Sequence, residues 1–320
     1  MINIGLLGFG TVGSAVFTVL EERKAEMEAC LKQKIRIKRI LERDMAKHKS
    51  SAAFPLMTTD VADIIADPEI DVLIELTGDV KNMIEPLRRS ISAGKHLITA
   101  NKALLSKYLE ELTELASKHG VAFRYEASVA GAVPILILMK NISALNEVLE
   151  IEGVLNGTCN YLLSRMEAGL DYDTALAEAQ ALGFSEADPS SDVEGYDTMY
   201  KLRILSSLAF KQPVLESDIS CTGITGVTKS EIAQALSQGQ RIKLVAKAAR
   251  CENGGIVATV RPTAVERDQL LGSLNNGENA IILRTSNAGT LTFSGLGAGG
   301  RPTAFSVLSD LMQIYGAQNR

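Results

Sequence analysis

Gly8-Phe9-Gly10-Thr11-Val12-Gly13 is the stretch on which the fold turns. A short apolar run, residues 1–7, precedes it. Residues 11–23 follow it and carry Val12, Ala15, Val16, Val19 and Leu20 at helical spacing. A G-x-G-x-x-G that ends a strand and opens a helix is the setting in which this motif holds a dinucleotide. The glycines allow a tight turn and a close approach of backbone to a pyrophosphate. The helix N-terminus adds unpaired N–H groups and the positive end of its dipole. A plain strand-to-helix turn is the alternative reading.

Further along, strand-like segments at 35–41, 71–76, 95–100 and 121–127 alternate with helix-like segments at 83–93 and 104–119. That alternation predicts a doubly wound (Rossmann-type) parallel sheet, an α/β domain over residues 1–130. From about residue 131 the pattern changes. Helices over 175–182, 197–210 and 231–250 mix with β-rich stretches at 256–260 and 280–284. This predicts an inserted α+β domain over 131–294. A glycine-rich loop then leads into a helix over 303–315, and residues 295–320 are expected to complete the first domain.

Composition narrows the functional classes. Of 320 residues, 33 are Lys or Arg and 38 are Asp or Glu, a net charge of −5. That balance argues against a nucleic-acid or anionic-membrane partner, which calls for a basic excess. The longest apolar run, 129–139, contains Gly131 and Pro134 and is about half the length a bilayer span needs. The first residues lack the pattern of a secretion signal, so a cytoplasmic protein with reduced thiols is expected. The four cysteines and three histidines are scattered, which makes a zinc site improbable. Asn156-Gly157-Thr158 matches a glycosylation sequon, which means little without a secretion signal.

Three places carry candidate chemistry. At the end of the second predicted strand, Glu42 suits the free 2′-hydroxyl of NAD, whereas Arg43, with Arg39 and Lys47 nearby, suits the 2′-phosphate of NADP. A solvated charged strand end is the bland alternative. Lys102 follows a strand in Thr99-Ala100-Asn101-Lys102, at the edge where doubly wound sheets bind ligands. The densest constellation runs from Gly183 through Glu186, Asp188, Asp192, Glu194 and Asp197 to Lys201. Asp197 and Lys201 are spaced i,i+4 on one helix face, where a surface ion pair is the plain reading. On a helical wheel, however, Lys201 falls with Leu202, Ile204, Leu205, Leu208 and Ala209, while Arg203 and Ser206 lie opposite. A lysine on a buried stripe needs a partner and, when desolvated, gives up its proton more readily, as a proton shuttle must. A structural buried ion pair stays open.

Over essentially its whole length the chain resembles the homoserine dehydrogenases. The matching motifs are GFGTVG at 8–13, GKHLITANKALL at 94–105, YEASVAGAVPI at 125–135, GVLNGTCNYLLSRM at 153–166, LGFSEADPSSDVEGYD at 182–197 with Lys201, and GAGGRPTA at 297–304. The resemblance implies interconversion of L-homoserine and L-aspartate 4-semialdehyde with NADP or NAD, in threonine, methionine and isoleucine biosynthesis. It implies Lys201 as acid/base and Lys102 as a second catalytic lysine. Glu186, Asp192 and Asp197 would hold the substrate amino group and orient Lys201. Gly8, Phe9, Gly10, Thr11, Val12, Gly13, Arg43, Thr77, Lys102, Gly183 and Gly299 would meet the cofactor. Glu126 and the carbonyls of Val129, Gly131 and Val133 would form a sodium site. A homodimer or homotetramer is implied as well. Two departures stand out: Glu42 sits where many relatives carry an apolar residue, and many relatives continue into a C-terminal ACT domain that this chain is expected to lack. Another NAD(P)-dependent amino-acid dehydrogenase, or a non-enzymatic NAD(P)-binding regulator, remain as other readings.

Overall fold

The chain opens with strand β1 (Ile2–Leu7) and helix α1 (Thr11–Leu31), joined by the glycine-rich turn. The computed structural model describes residues 1–251 and 254–316, so the last four residues of the 295–320 segment lie outside the described residues. Two compact units are present: Met1–Ala132 with the segment from Gly299, and Val133–Ala298.

In the first unit β2 (Ile35–Leu41), β3 (Met57–Thr58), α2 (Ala62–Ile65), β4 (Val72–Glu75), α3 (Val80–Ser92), β5 (His96–Thr99), α4 (Lys102–Lys118) and β6 (Phe123–Arg124) follow. The six strands form one parallel sheet in the order β3-β2-β1-β4-β5-β6. The chain crosses from one half to the other between β1 and β4, the position where such sheets bind nucleotides. Ile4, Leu6, Val72, Ile74 and Ile98 are fully buried, as sandwiched parallel strands require. Helix α1 runs well beyond residue 23. Met27 and Leu31 continue its buried stripe, and Arg23–Glu26 and Lys24–Glu21 pair along the charged face. The strand expected over 121–127 stops at Arg124, because the Glu126 N–H turns to the carboxylate of Asp310 (2.8 Å) instead of the ladder.

The second unit contains α5 (Ile135–Leu145), β7 (Val148–Val154), α6 (Gly157–Glu167), α7 (Tyr172–Ala181), α8 (Ser190–Val193), α9 (Tyr196–Phe210), β8 (Ile219–Cys221), α10 (Lys229–Ser237), β9 (Gln240–Arg250), β10 (Ile256–Glu266), α11 (Leu270–Ser273), β11 (Glu278–Thr285) and β12 (Gly289–Leu296). Its mixed six-stranded sheet has the order β12-β11-β7-β9-β10-β8, with only the β10–β8 pair parallel. The helix expected over 231–250 is therefore wrong in its second half. Residues 240–250 are rich in helix formers, yet they form a central strand with Leu244, Val245, Ala246 and Ala248 buried between β7 and β10. Burial on both faces overrides propensity there. The chain then returns to the first unit as α12 (Gly300–Gly316), which packs on α1. Gly300 touches the turn where α1 starts; a Cβ on it would meet the Thr11 carbonyl at 2.9 Å.

Candidate functional site

The glycine-rich turn has the geometry of a nucleotide cradle. Gly8 has φ +99°, and a Cβ on Gly13 would lie 2.1 Å from the Gly8 carbonyl oxygen, so neither position accepts a side chain. A Cβ on Gly10 would meet open space. Gly10 is the N-cap of α1 with no side-chain cap, so Thr11, Val12 and Gly13 begin a helix whose N-terminal donors suit an anion. The Phe9 ring is buried edge-on against Phe17 and His48, and its N–H donates to Glu42 Oε2 at 3.2 Å. Glu42 also accepts the Asp44 N–H (2.9 Å), so its carboxylate braces the turn. Arg43 and Arg39 are exposed, and Lys47 pairs with Asp44.

At the carboxyl edge of the sheet, Thr77 donates through both its N–H and its hydroxyl to Glu75 Oε1, at 2.8 and 2.6 Å. Lys102 is half-buried and opens α4 behind the cap Asn101, whose Oδ1 accepts the Leu104 N–H (3.1 Å). Asn101 Nδ2 is buried and has no hydrogen-bond partner, an orphan donor at the edge where the nucleotide would lie. Cradle and orphan together fit a dinucleotide. Gly299, with φ +115°, sits just ahead of α12.

In the second unit a polar cluster lies inside the core. Lys201 Nζ donates to Asp197 Oδ2 and to the Leu155 carbonyl, both at 2.7 Å. Asn156 Nδ2 donates to Asp197 Oδ2 (2.7 Å) and to Asp192 Oδ1 (2.6 Å). Asn279 Nδ2 also donates to the Leu155 carbonyl (2.9 Å), and its buried Oδ1 is unpartnered. Lys201 is only 8% exposed and Asp197 3%. The wheel argument for that burial needs correcting, because Arg203 and Ser206 are as buried as the residues across from them. Helix α9 is packed by α5, α8, β7, β8, β9 and β10, and only the face of Tyr196, Tyr200 and Ser207, with Leu208, keeps any exposure. Glu186 and Gly183 sit on the exposed loop after α7, and the Glu186 carbonyl accepts from Gln180. The structure thus joins Asp192, Asp197 and Lys201 and leaves Glu186 apart from them. Sequence reasoning missed Asn156 and Asn279. The first was visible only within a motif and a sequon, and the second carried no signal.

The stretch 126–133 is bent in an unusual way. Ala130 and Gly131 are consecutive left-handed residues, with φ +54° and +55°, a conformation uncommon for a non-glycine residue. Glu126 is 2% exposed. Beside it, burial pushes the Asp310 carboxyl up to about 7, and its Oδ1 has no partner. Ser306 donates to the Gly131 carbonyl (2.6 Å). Buried acid and turned carbonyls suit a hard monovalent cation. Among the described residues no three His, Cys, Asp or Glu side chains gather to hold a metal, so carbonyls would supply most of the ligands.

A six-stranded parallel sheet with a glycine turn at its first crossover, and a second unit that buries a lysine on an aspartate, are the features of an α/β nucleotide-dependent oxidoreductase. Comparison with known proteins makes this specific. Residues 8–126 match the family model of the homoserine dehydrogenase NAD binding domain, and residues 134–312 match that of homoserine dehydrogenase. The homoserine dehydrogenase of Lactococcus lactis subsp. lactis is 38% identical over 318 residues, covering 98% of this chain and 74% of the relative. That of Synechocystis sp. is 38% identical over 98% of this chain and 73% of the relative. The crystal structure of a homoserine dehydrogenase from Thiobacillus denitrificans superposes with a TM-score of 0.95 at 37% identity, over 99% of this chain and 74% of that one. The chain belongs to the homoserine dehydrogenase family, the NAD(P)-dependent oxidoreductases expected from the sequence.

Proposed function

We propose that this chain interconverts L-homoserine and L-aspartate 4-semialdehyde with Lys201 as the proton donor and acceptor. The observation that carries the reading is the buried Lys201–Asp197 contact of 2.7 Å, backed by the Leu155 carbonyl. Two N–H bonds of the ammonium point at those acceptors, and the third serves the substrate oxygen. In semialdehyde reduction Lys201 protonates the developing alkoxide, and in the reverse direction it takes the hydroxyl proton. Lys102 adds positive charge at that oxygen. Glu186 and Asp192 hold the substrate amino group, and Asp197 orients the lysine. Bound NAD(P)H supplies the hydride. The backbone of Gly8 to Gly13 holds its pyrophosphate, with Thr77, Gly183 and Gly299 as further contacts. Arg43 favours NADP and Glu42 favours NAD, so both cofactors are used.

Glu126 and the carbonyls of Val129, Gly131 and Val133 hold sodium in this reading. Sodium then raises the Tm of the wild type but not of Glu126→Gln. The second unit also carries the assembly contact of a homodimer or homotetramer. Val257 (58% exposed) and Leu296 (55%) share one face of its sheet by strand register and offer apolar surface for it. The four free cysteines fit a reducing cytoplasm, and a place in threonine, methionine and isoleucine biosynthesis follows from the substrate. The test is homoserine oxidation with NAD and NADP in parallel, read by absorbance of the reduced nicotinamide. Activity restricted to another amino acid would favour a different dehydrogenase, and cofactor binding without turnover of any would favour a regulator.

A further inference from the structure

Glu75 ends β4, the strand next to the crossover point, and is 0% exposed. An acid at that depth is costly unless donors surround it. Here the donors come from the loop after β4 and from the end of the neighbouring strand β5. Oε1 accepts the Thr77 N–H (2.8 Å) and the Thr77 hydroxyl (2.6 Å), and Oε2 accepts the Thr99 hydroxyl (2.6 Å).

Each threonine hands the constraint on. Thr77 Oγ1 accepts the Asp79 N–H (3.1 Å), and Asp79 caps α3 through the Asn82 N–H (3.0 Å). Thr99 Oγ1 accepts the Asn101 N–H (3.0 Å), and Asn101 caps α4, whose first residue is Lys102. The Thr77 loop also lies against the glycine turn: a Cβ on Gly8 would meet the Leu76 carbonyl at 3.0 Å and the Thr77 nitrogen at 3.2 Å. One buried carboxyl thus sets the backbone of a cofactor-contact loop with one oxygen and the approach to Lys102 with the other.

We propose that Glu75 is a positioning residue that couples the Thr77 cofactor loop to the placement of Lys102. This rests on the functional reading given above for Thr77 and Lys102. A carboxyl serving only to hold the fold would lower Tm when altered and leave the two functions alone. A coupler has separable arms. The apolar isostere Thr77→Val removes the hydroxyl contact to Oε1 together with the acceptor for the Asp79 N–H, and Thr99→Val removes the contact to Oε2 together with the acceptor for the Asn101 N–H, so each variant cuts one arm and leaves the other. Glu75→Gln keeps the size and one carbonyl but cannot accept on both sides.

The experiment measures NADPH Kd by fluorescence, kcat for homoserine oxidation and Tm in all three variants beside Lys102→Met. Thr99→Val is expected to lower kcat about tenfold with NADPH Kd unchanged, as small misplacements of a catalytic group do. Thr77→Val is expected to raise NADPH Kd severalfold. Glu75→Gln is expected to do both and to remain folded. Wild-type kcat and Kd in Glu75→Gln, or parallel changes of both quantities in the two threonine variants, overturn the proposal if Lys102→Met is impaired. Wild-type kcat in Lys102→Met overturns the functional reading of that lysine, and the coupling with it.

Discussion

Asn156 donates to Asp197 at 2.7 Å, and the same nitrogen reaches Asp192 at 2.6 Å. Its Oδ1 meanwhile accepts the Cys159 N–H (2.7 Å) and caps α6. A single carboxamide therefore ties the end of β7 to both acids of the Lys201 cluster. Asn156→Asp keeps the cap, since aspartate is an equally good N-cap. It removes the donor and sets a third acid against two others. kcat/KM for homoserine is expected to fall by about tenfold or more, while NADP Kd holds. Unchanged kcat/KM in steady-state assays would mean that the two acids need no bridge.

Glu42 bears on cofactor choice. Its carboxylate braces the Phe9 N–H and lies beside the strand end where a ribose would sit. Glu42→Gln keeps an acceptor for that N–H and removes a charge that repels a 2′-phosphate. The NADP/NAD ratio of kcat/KM is expected to rise severalfold. A constant ratio across the two enzymes would show that Glu42 serves the turn alone.

Lys243 gives a pH signature in stability. It is 1% exposed on β9, donates to the Leu274 carbonyl (2.7 Å) and the Asn160 side chain, and burial lowers it from 10.5 to about 8. Between those values the unfolded chain binds the proton and the folded one does not, so stability rises with pH across that window. Below about 8 the lysine is charged in both states and the full cost of burying it, up to about 3 kcal/mol, is present. Thermal melts of the wild type and Lys243→Met from pH 7 to 10 should show the wild type gaining relative to the variant. A constant gap would mean that Lys243 keeps its proton throughout.

The first unit was legible because its signals are local. The glycine turn, the apolar strand runs and the Lys102 loop each occupy a few consecutive residues, and the alternation predicts a parallel sheet, whereas the strand order is set by the fold alone. The second unit was harder. β9 is mostly Ala, Lys and Arg, and only its place between β7 and β10 makes it a strand. In the Lys201 cluster, the pair four residues apart on one helix was readable. Asn156 and Asn279 were not, because they join it across 41 and 124 residues of sequence through Asp197 and the Leu155 carbonyl. Glu75 carries no motif. A lone acid at a strand end looks solvated until the fold encloses it.

Lys201→Met tests the central claim most directly. Both acceptors it leaves behind keep a donor, since Asp197 retains Asn156 and the Leu155 carbonyl retains Asn279. Methionine fills a similar volume without a charge, so the fold is expected to survive. NADP Kd should also hold, because the turn at Gly8 to Gly13 is untouched. Asp197→Asn should cost less than Lys201→Met, because it disturbs the lysine's orientation without removing its proton. kcat for homoserine oxidation, measured beside NADP Kd by fluorescence, is expected to fall at least about 10²-fold in Lys201→Met. A kcat above about a tenth of the wild-type value with unchanged cofactor binding would make Lys201 a structural partner of Asp197 and move the proton to Lys102.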